Sequence, residues 1–364
     1  MGDTSNRLVE GVDTIVDTDF HLTESEKDIL PYIEDPFDGM LNVGGSETYL
    51  SNVYPSAGFL TRVTTEKAEM DDLRSPEAIR RAMDLLGVDK VVLSPGQNLR
   101  LSFVHHDELA AALMRAYNEW LLDAILDEDP GLTGSMVVAP QRPEEAAEEI
   151  RNRASEDQII SVMLPTAGAL PPLGREHYFP IYEAAEEAGF PVLMHNAGNG
   201  LMANFPHHWR WTKRYIDVHV PLHGAEHMWN LSTMLTNGVP ELFPDLTFVA
   251  EEAGLGWIPY FLRRYDHEIH GKRRDAPKLK KKPSEYVYDQ FYFTSQPVEG
   301  ADDPEYVASI IDLFDGQTNL MFSSDYPHPD FDYTDDLVRT IRAEFGEEAL
   351  NNIYGGTAME VFDF

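Results

Sequence analysis

The chain has 364 residues, and hydrophobic side chains make up 43% of them, enough for the core of one large α/β domain. It contains no cysteine. Disulfide bonds, thiolate nucleophiles and cysteine-ligated zinc are therefore excluded, and any metal must be held by His, Asp, Glu, water or backbone oxygen. Acidic residues outnumber basic ones 63 to 28, and the formal net charge of −35 disfavours binding to nucleic acid or to anionic membranes.

The acidic residues are spread along the chain instead of forming a tail. Such a surface repels itself in dilute buffer, whereas molar salt shortens the screening length to about 3 Å and removes most of the repulsion. We therefore predict a cytoplasmic protein of a salt-accumulating cell, with an acidic protein that binds cations or basic partners as the alternative. No signal peptide is recognisable, and no apolar run approaches the roughly 18 residues of a membrane span, so we expect no membrane association.

Short β-type runs recur along the chain, most of them followed by a helical pattern. Alternation of strand and helix indicates a parallel sheet, and eight repeats predict closure into a (β/α)8 TIM barrel. An open nucleotide-binding sheet has little support, because no G-x-G-x-x-G follows the first run. The predicted strands are Thr14–Thr18, Lys90–Leu93, Thr133–Ala139, Gln158–Met163, Pro191–Met194, Leu246–Ala250, Phe291–Thr294 and Asn319–Ser323, and the predicted helices include Pro76–Leu86, Glu108–Asp127, Pro143–Ala154 and Phe179–Ala188.

Two connections are longer than the usual length of about 2–6 residues. The first, Leu22–Arg74, follows strand 1, and the second, Asn196–Asp245, follows strand 5. Both leave the carboxyl-terminal side of the sheet, so we expect them to cap the pocket and to contribute to specificity. No break in composition marks a domain boundary, and we predict a single domain over residues 1–364 with residues 1–11 as a tail.

Three of the predicted strands lead to side chains that bind metals. The first leads to Asp19 and His21, which lie two residues apart and so project to one face of a strand. The fifth leads to His195 and the eighth to Asp325. In a parallel barrel these ends meet at the carboxyl-terminal rim, where such barrels hold their chemistry. Two carboxylates and two imidazoles there predict a divalent-metal site suited to activating water.

Each of these residues also has an ordinary structural explanation. Asp19 and His21 have the character of ordinary polar residues at the end of a strand. The alternative for His195 is a histidine of the core whose hydrogen bonds are satisfied. The alternative for Asp325 is a residue that caps the following turn. The coincidence of all four at the ends of strands 1, 5 and 8 is what favours a metal site.

Several short motifs follow one another along almost the whole chain. They are D-x-D-x-H-x-x-E from Asp17 to Glu24, then Met194-His195, His223-Gly224-Ala225-Glu226, Gly238–Pro244, Glu252–Pro259 and Ser324–His328. In content and order they resemble the amidohydrolase-2 group of the amidohydrolase superfamily. That group contains many members assigned as hydrolases and also decarboxylases such as aminocarboxymuconate-semialdehyde decarboxylase.

The resemblance implies a (β/α)8 barrel with one divalent ion at the rim. By motif position, Asp19 and His21 are the paired metal ligands of strand 1. His195 is the ligand of strand 5, and Asp325 that of strand 8. Many relatives carry His or Glu where Asp19 stands, and a carboxylate there extends tolerance from Zn²⁺ toward Mn²⁺. We expect the ion to be Zn²⁺, with Mn²⁺ as the alternative. We also expect the protein to form a homodimer or a homotetramer.

The proposed catalytic residues are Asp325, Glu252 and His223. Asp325 either shares the metal or takes a proton from the nucleophilic water. Glu252 stands where the decarboxylase relatives place a catalytic histidine, and it acts as a general base, holds a substrate donor, or is a salt-bridged rim carboxylate. His223 contacts substrate or orients a ligand. His328, after Asp325, is expected to fix its loop.

Four further residues are predicted to contact the substrate, each with a structural alternative. Glu24 approaches the ion or substrate from the first loop, or caps a short helix. Glu226 lies three residues after His223 on one helical face and binds substrate or pairs with that histidine. His227 is the residue that points inward if His223 does not. Trp257 lines the pocket or packs in the core.

The leading hypothesis is hydrolysis of a C–N or C–O bond of a small polar substrate by metal-activated water. Glu252 favours it over the second hypothesis, non-oxidative decarboxylation of a small aromatic or semialdehyde carboxylic acid. A metal-bound barrel without catalysis is the third, and the four intact ligands disfavour it. One basic stretch, residues 272–282, contains seven Lys and Arg residues. The acidity of the chain favours a solvated loop or a subunit contact there over nucleic-acid binding.

Overall fold

The structure of the protein, a computed structural model, describes residues 7–38, 72–197, 216–328 and 335–364. Eight parallel strands form one sheet whose neighbours follow the order of the chain. They are β1 (Val16–His21), β2 (Lys90–Ser94), β3 (Thr133–Val137), β4 (Ile159–Pro165), β5 (Val192–His195), β6 (Phe248–Glu251), β7 (Phe291–Thr294) and β8 (Leu320–Met321). Among the described helices, none is both long enough and apolar enough to cross a lipid bilayer.

Backbone contacts between β1 and the segment after β8 join the two edges of the sheet. The Thr18 amide donates to the Phe322 carbonyl at 3.1 Å, and the His21 amide donates to the Tyr326 carbonyl at 2.8 Å. Phe20 and Tyr326 form a parallel bridge. The sheet is therefore a nearly closed barrel with helices between its strands, and the predicted (β/α)8 TIM barrel is confirmed.

Helices separate the strands. They are α1 (Glu26–Ile29), α2 (Pro76–Leu86), α3 (Asp107–Leu121), α4 (Pro143–Arg153), α5 (Phe179–Ala188), α6 (Ile216–Asn237), α7 (Val239–Leu242), α8 (Ile258–Gly271), α9 (Pro283–Gln290), α10 (Pro304–Leu313), α11 (Gly316–Asn319), α12 (Asp335–Asn351) and α13 (Thr357–Val361). The predicted end of α5 is confirmed, because Gly189 follows it in the left-handed conformation with φ 72°. Helices outside and side chains inside bury the strands on both faces, which explains their continuous apolar runs.

Strand 1 is the main correction to the predicted elements. It was expected at Thr14–Thr18 but lies at Val16–His21, so Asp19 and His21 are inside the strand and not beyond it. Its polar residues resemble a loop in the sequence, yet all six of its side chains are buried. A bulge shifts its register against β2 after Asp17, and bulges of this kind redirect side chains next to active sites.

The two long connections lie partly outside the described residues, which omit 39–71 and 198–215. The remainder of the second connection is largely helical and contains α6 and α7, so it includes the ordinary barrel helix between β5 and β6. The basic stretch 272–282 lies between α8 and α9, ahead of β7 and at the opposite end of the barrel from the rim. One of its lysines, Lys280, is 3.2 Å from Glu241, and its side chain is exposed.

Candidate metal centre and active site

β1 and β5 bring three of the predicted metal ligands together. Asp19 and His21 lie two residues apart in β1, with 3.3 Å between Asp19 Oδ1 and His21 Nε2. His195, the last residue of β5, places its Nε2 3.1 Å from Asp19 Oδ2. All three side chains are buried, and one ligand atom from each lies within 4.8 Å of the others.

Asp325 joins this group from the segment after β8. Its Oδ1 lies 3.0 Å from His21 Nε2. His328 Nδ1 lies 2.5 Å from the same oxygen, and His21, Asp325 and His328 form a second group with ligand atoms within 4.8 Å of one another. The four predicted ligands are thus contiguous through His21. The sequence assigned His328 only to its loop, but it is a further candidate partner of this centre.

The hydrogen bonds of the two histidines indicate that a cation belongs here. His21 Nδ1 lies 3.0 Å from the Pro95 carbonyl, and His195 Nδ1 contacts the Asn196 carbonyl. A carbonyl oxygen can only accept a hydrogen bond, so each Nδ1 carries the ring hydrogen. In a neutral ring, Nε2 then has a lone pair, and this lone pair faces carboxylate oxygens. Buried Asp19 Oδ1 and His21 Nε2 have no hydrogen-bond partner. Acceptors that face one another repel unless a cation or proton lies between them, so these residues fit a divalent ion.

Neighbouring charges keep the carboxylates of the cluster ionised. Burial by itself raises the pKa of Asp19, but His21 and His195 hold that pKa well below its ordinary value. Burial also raises the pKa of Asp325, yet the neighbouring His21 and His328 side chains bring it below the usual range. Ionised carboxylates together with imidazole nitrogens are a suitable ligand set for divalent first-row metals.

Asp17 connects β1 to the segment after β8 that contains Asp325, a role that the sequence did not reveal. Its Oδ1 accepts the amides of Asp19 at 3.3 Å and of Ser324 at 2.9 Å. The Asp325 amide in turn donates to the Asp19 carbonyl at 3.1 Å. Asp325 has a left-handed backbone with φ 57°, a strained conformation that these contacts hold in place. Asp17 belongs to the first motif, but its spacing alone does not distinguish a backbone acceptor from a ligand.

Glu252 follows β6 and lies beside the cluster. Its carboxylate oxygens are 3.5 Å from His223 Nδ1 and 3.8 Å from His195 Nδ1. Its backbone is left-handed, with φ 50°, and its amide donates to Thr294 Oγ1 at 3.2 Å. Its carbonyl accepts from Asn196 Nδ2 at 3.0 Å and from His223 Nδ1 at 2.8 Å. Burial, followed by the charges of the cluster's carboxylates, raises the pKa of Glu252 well above its ordinary value.

α6 turns a polar face toward the barrel. His223, Glu226 and His227 are all buried on it. His223 is the residue of this face that contacts Glu252. His227 Nε2 donates to the Glu251 carbonyl at 2.8 Å, and burial lowers the pKa of His227 to about 3, so its ring is neutral at pH 7. Burial raises the pKa of Glu226 to about 7. The structure therefore favours His223 over His227 as the histidine of this helix at the site.

Glu24 and Trp257 are bound into the walls of the rim. Glu24 is buried, and its carboxylate accepts the Gly96 and Asn98 amides, each at 2.9 Å. It thereby ties the loop after β1 to the loop after β2 and does not cap a helix. Trp257 Nε1 donates to the Ala253 carbonyl at 2.8 Å, which fixes its ring at the start of α8. These contacts are structural, and the predicted contacts of both residues with substrate stay predictions.

Fold and cluster together define a metal-dependent enzyme built on a (β/α)8 barrel. The family model described as amidohydrolase (Amidohydro_2) matches residues 16–364. The chain belongs to this family.

Solved structures of the same architecture cover nearly all of the chain. The 5-carboxyvanillate decarboxylase of Sphingomonas paucimobilis is 23% identical, with a TM-score of 0.68 over 96% of this chain and 99% of its own. An amidohydrolase of Mycobacterium avium subsp. paratuberculosis K-10 is 17% identical, with a TM-score of 0.74 over 96% and 99%. The 5-carboxyvanillate decarboxylase of Novosphingobium aromaticivorans DSM 12444, in complex with manganese and 4-hydroxy-3-methoxy-5-nitrobenzoic acid, is 19% identical, with a TM-score of 0.67 over 100% of both chains. At these identities the likeness establishes a common fold.

Proposed function

We propose that this protein is a metal-dependent, non-oxidative decarboxylase of a small carboxylic acid that carries a hydroxyl or oxo group beside the carboxylate. Two of the solved relatives are decarboxylases, and they align along 96% and 100% of the chain. The observation that carries the proposal is this likeness to decarboxylases along nearly the whole chain, and within the site the Glu252 carboxyl lies 3.8 Å from His195 Nδ1. From there it is placed to exchange a proton with a substrate bound at the cluster.

Asp19, His21, His195 and Asp325 are the residues that would hold the ion. When bound there, a divalent ion would supply positive charge that attracts the anionic substrate and stabilises the negative charge that develops on it. One decarboxylase relative was solved with manganese. Two carboxylates and two imidazoles suit Mn²⁺ as well as Zn²⁺, and we therefore place Mn²⁺ ahead of the Zn²⁺ that the sequence favoured.

The residues of the chain supply the proton. Loss of CO2 leaves an electron pair on the substrate carbon, and a proton must take the place of the carboxyl group. Glu252 donates that proton from its carboxyl group and regains one from solvent after the product leaves. His223 and Asn196 hold the Glu252 carbonyl, so they keep its side chain beside the cluster. Protonation at carbon then completes the exchange of CO2 for hydrogen without any oxidant.

Hydrolysis, which the sequence placed first, is the second candidate. Glu252 supports it too, because a carboxylate at this point can take a proton from water, and the resemblance places histidine there in decarboxylases. The solved decarboxylases nevertheless favour the decarboxylase over the hydrolase. A barrel without catalysis has no support, since the family and its solved relatives are enzymes. Assembly into a homo-oligomer and the cytoplasmic location stay predictions.

The two candidates are separated by their products. Protein stripped with a chelator and reloaded with Mn²⁺ or Zn²⁺ is assayed in molar salt against hydroxybenzoates, including 5-carboxyvanillate, and against lactones and amides. We expect CO2 release from at least one hydroxybenzoate with metal and none after chelation. Turnover of a lactone or an amide, with no CO2 from any acid, would reject the decarboxylase and establish the hydrolase.

A further inference from the structure

The chain concentrates positive charge in one segment, although it is strongly acidic as a whole. Residues 258–282, which comprise α8 and the basic stretch, contain nine of the 28 Lys and Arg residues but only three of the 63 acidic residues. Outside this segment, acidic residues outnumber basic ones 60 to 19. Six cations of the basic stretch are exposed, and we call them the basic surface: Lys272, Arg273, Arg274, Lys278, Lys280 and Lys282.

Acidic side chains of the same chain neutralise the basic surface only in part. Glu268 contacts both Arg264 of α8 and Lys272, and Glu241 lies 3.2 Å from Lys280. The cations of these pairs are exposed to solvent, and exposed ion pairs contribute at most about 1 kcal/mol each. Pairs this weak are easily replaced, so the basic surface can pair with the carboxylates of another molecule.

An apolar groove adjoins the basic surface. It lies between α6 and α8, has a volume of about 350 Å³, and has walls that include Met228, Trp229, Tyr260, Arg264 and Tyr265. Tyr260 is 65% exposed, and Trp229 is 49% exposed. Because Arg264 contacts the same glutamate as Lys272, the groove leads directly into the basic surface. Aromatic residues, Met and Arg are the side chains that are enriched at interfaces between proteins.

We propose that the groove and the basic surface together form an interface with a second copy of this chain. Charge complementarity favours this partner, because the chain outside residues 258–282 has 60 acidic residues against 19 basic ones. In a two-fold arrangement, the basic surface of each copy lies on an acidic surface of the other, so that every contact forms twice. The aromatic side chains of the groove supply the apolar burial that stabilises the contact.

A polyanion such as RNA is a poorer match for the same cations. The net charge of −35 repels it, and a nucleic acid that is held by phosphate contacts alone loses affinity steeply as salt rises. Ion pairs at a docked protein surface are partly buried and are therefore screened less, and burial in the groove does not depend on charge. A second copy therefore stays bound in the molar salt in which we expect the protein to work.

Sedimentation velocity over a dilution series in molar salt measures the dissociation constant of the assembly. The charge-reversal variant carries Arg274→Glu, Lys278→Glu and Lys282→Glu. The groove variant carries Tyr260→Ser, which leaves the charge unchanged and lies at an exposed position where folding should not be impaired. We expect the wild type to form a dimer or a larger assembly, with a dissociation constant at least about tenfold higher in each variant. Circular dichroism verifies that both variants are folded.

A matched control separates contact at this surface from the change in net charge. Its three substitutions also replace exposed cations with Glu, but on α1, α2 and α12: Lys27→Glu, Arg81→Glu and Arg339→Glu. The control should assemble as tightly as the wild type. A charge-reversal variant that assembles as tightly as the control would overturn the proposal. A wild type that is monomeric, whether or not it binds RNA, would overturn it as well.

Carbodiimide cross-linking identifies what the basic surface contacts, because this reagent joins an amine to a carboxylate that touches it. In an equal mixture of unlabelled and isotopically labelled wild type, mass spectrometry distinguishes links between copies from links within one copy. We expect links between copies from Lys278, Lys280 or Lys282 to acidic residues outside 258–282. If only other lysines form links between copies, the interface lies elsewhere and the proposal is rejected. None of these measurements needs a substrate, so their outcome is independent of the proposed decarboxylase.

Discussion

Two groups of carboxyl side chains at the same rim differ in the direction of their pKa shifts: the proposed metal ligands Asp19 and Asp325, and the carboxyl groups that follow β6 or lie on α6. On the side of β1 and β8, Asp19 and Asp325 lie against His21, and the pKa values of both carboxylates stay below the ordinary range. On the side of β6 and α6, burial raises the pKa values of Glu252 and Glu226. The first arrangement holds negative charge ready for a cation. The second favours protonated carboxyl groups, and the difference distinguishes the proposed metal-binding part of the rim, the metal side, from the proposed proton-handling part, the proton side.

The largest expected effect comes from removing a ligand of the metal side. His195→Ala should lose the ion and lower turnover by about 1000-fold or more, because His195 places its Nε2 within the cluster. The barrel should remain folded, since its core consists of other strands and helices. Metal content by elemental analysis and circular dichroism test both points. His270→Ala, at an exposed position of α8, is the control and should keep the metal. Undiminished metal in His195→Ala would exclude the proposed ligand set.

A change on the proton side should separate catalysis from metal binding. Glu252→Gln keeps the shape of the side chain but removes its exchangeable acid, so turnover should fall by about 100-fold to 10,000-fold with unchanged metal content. Rates of CO2 release and metal content are measured on the same preparation. Glu252→His restores a group that exchanges protons and should recover part of the rate. Loss of metal from Glu252→Gln would instead make Glu252 part of the metal side.

Glu226 tests the proton side through stability. Its folded pKa of about 7 exceeds the ordinary 4.5, so the folded state holds a proton that the unfolded state has released between these values. The stabilisation is present below about pH 4.5 and is lost as the pH rises through 7. Glu226→Gln mimics the protonated group. Relative to the wild type, its free energy of unfolding should therefore rise by about 2–3 kcal/mol between pH 4.5 and pH 8.

Denaturant titrations at the two pH values measure this difference. Glu148→Gln, at an exposed position of α4, is the matched control. A Glu226→Gln difference that does not change with pH would show that Glu226 is ionised in the folded protein and would place it with the carboxylates of the metal side.

The metal side could be predicted from the sequence because each ligand follows an apolar run that forms a buried strand. Asp19, His195 and Asp325 were predicted in this way and lie close together in the structure, although the predicted end of strand 1 was wrong. In the sequence, polar residues that are buried inside a barrel look like those of a surface loop. A prediction from hydrophobicity alone therefore ends strand 1 too early, at Thr18. The prediction of the (β/α)8 architecture depended only on the alternation of strands and helices. It did not require the exact bounds of each element.

The proton side was less accessible from the sequence. The position of Glu252 was found from its motif, but its surroundings depend on backbone contacts. His223, Asn196 and Thr294 converge on its peptide groups from three elements, and the contacts of a carbonyl or an amide leave no signature in residue types.

Salt concentration should affect the charged surface of the protein more than it affects either side of the rim. Of the effects predicted here, this one is expected to be the smallest. Screening of the net charge of −35 should raise the melting temperature by several degrees between about 0.1 M and molar salt. The affinity for Mn²⁺ should change much less, because the proposed ligands Asp19, His21 and His195 are buried and weakly screened. Calorimetry and metal titration over one salt series measure the two quantities. A flat melting temperature would contradict the halophile prediction. If the affinity for Mn²⁺ instead changes with salt concentration as steeply as the melting temperature does, solvent ions screen the cluster. The cluster would then not be more shielded from salt than the surface is.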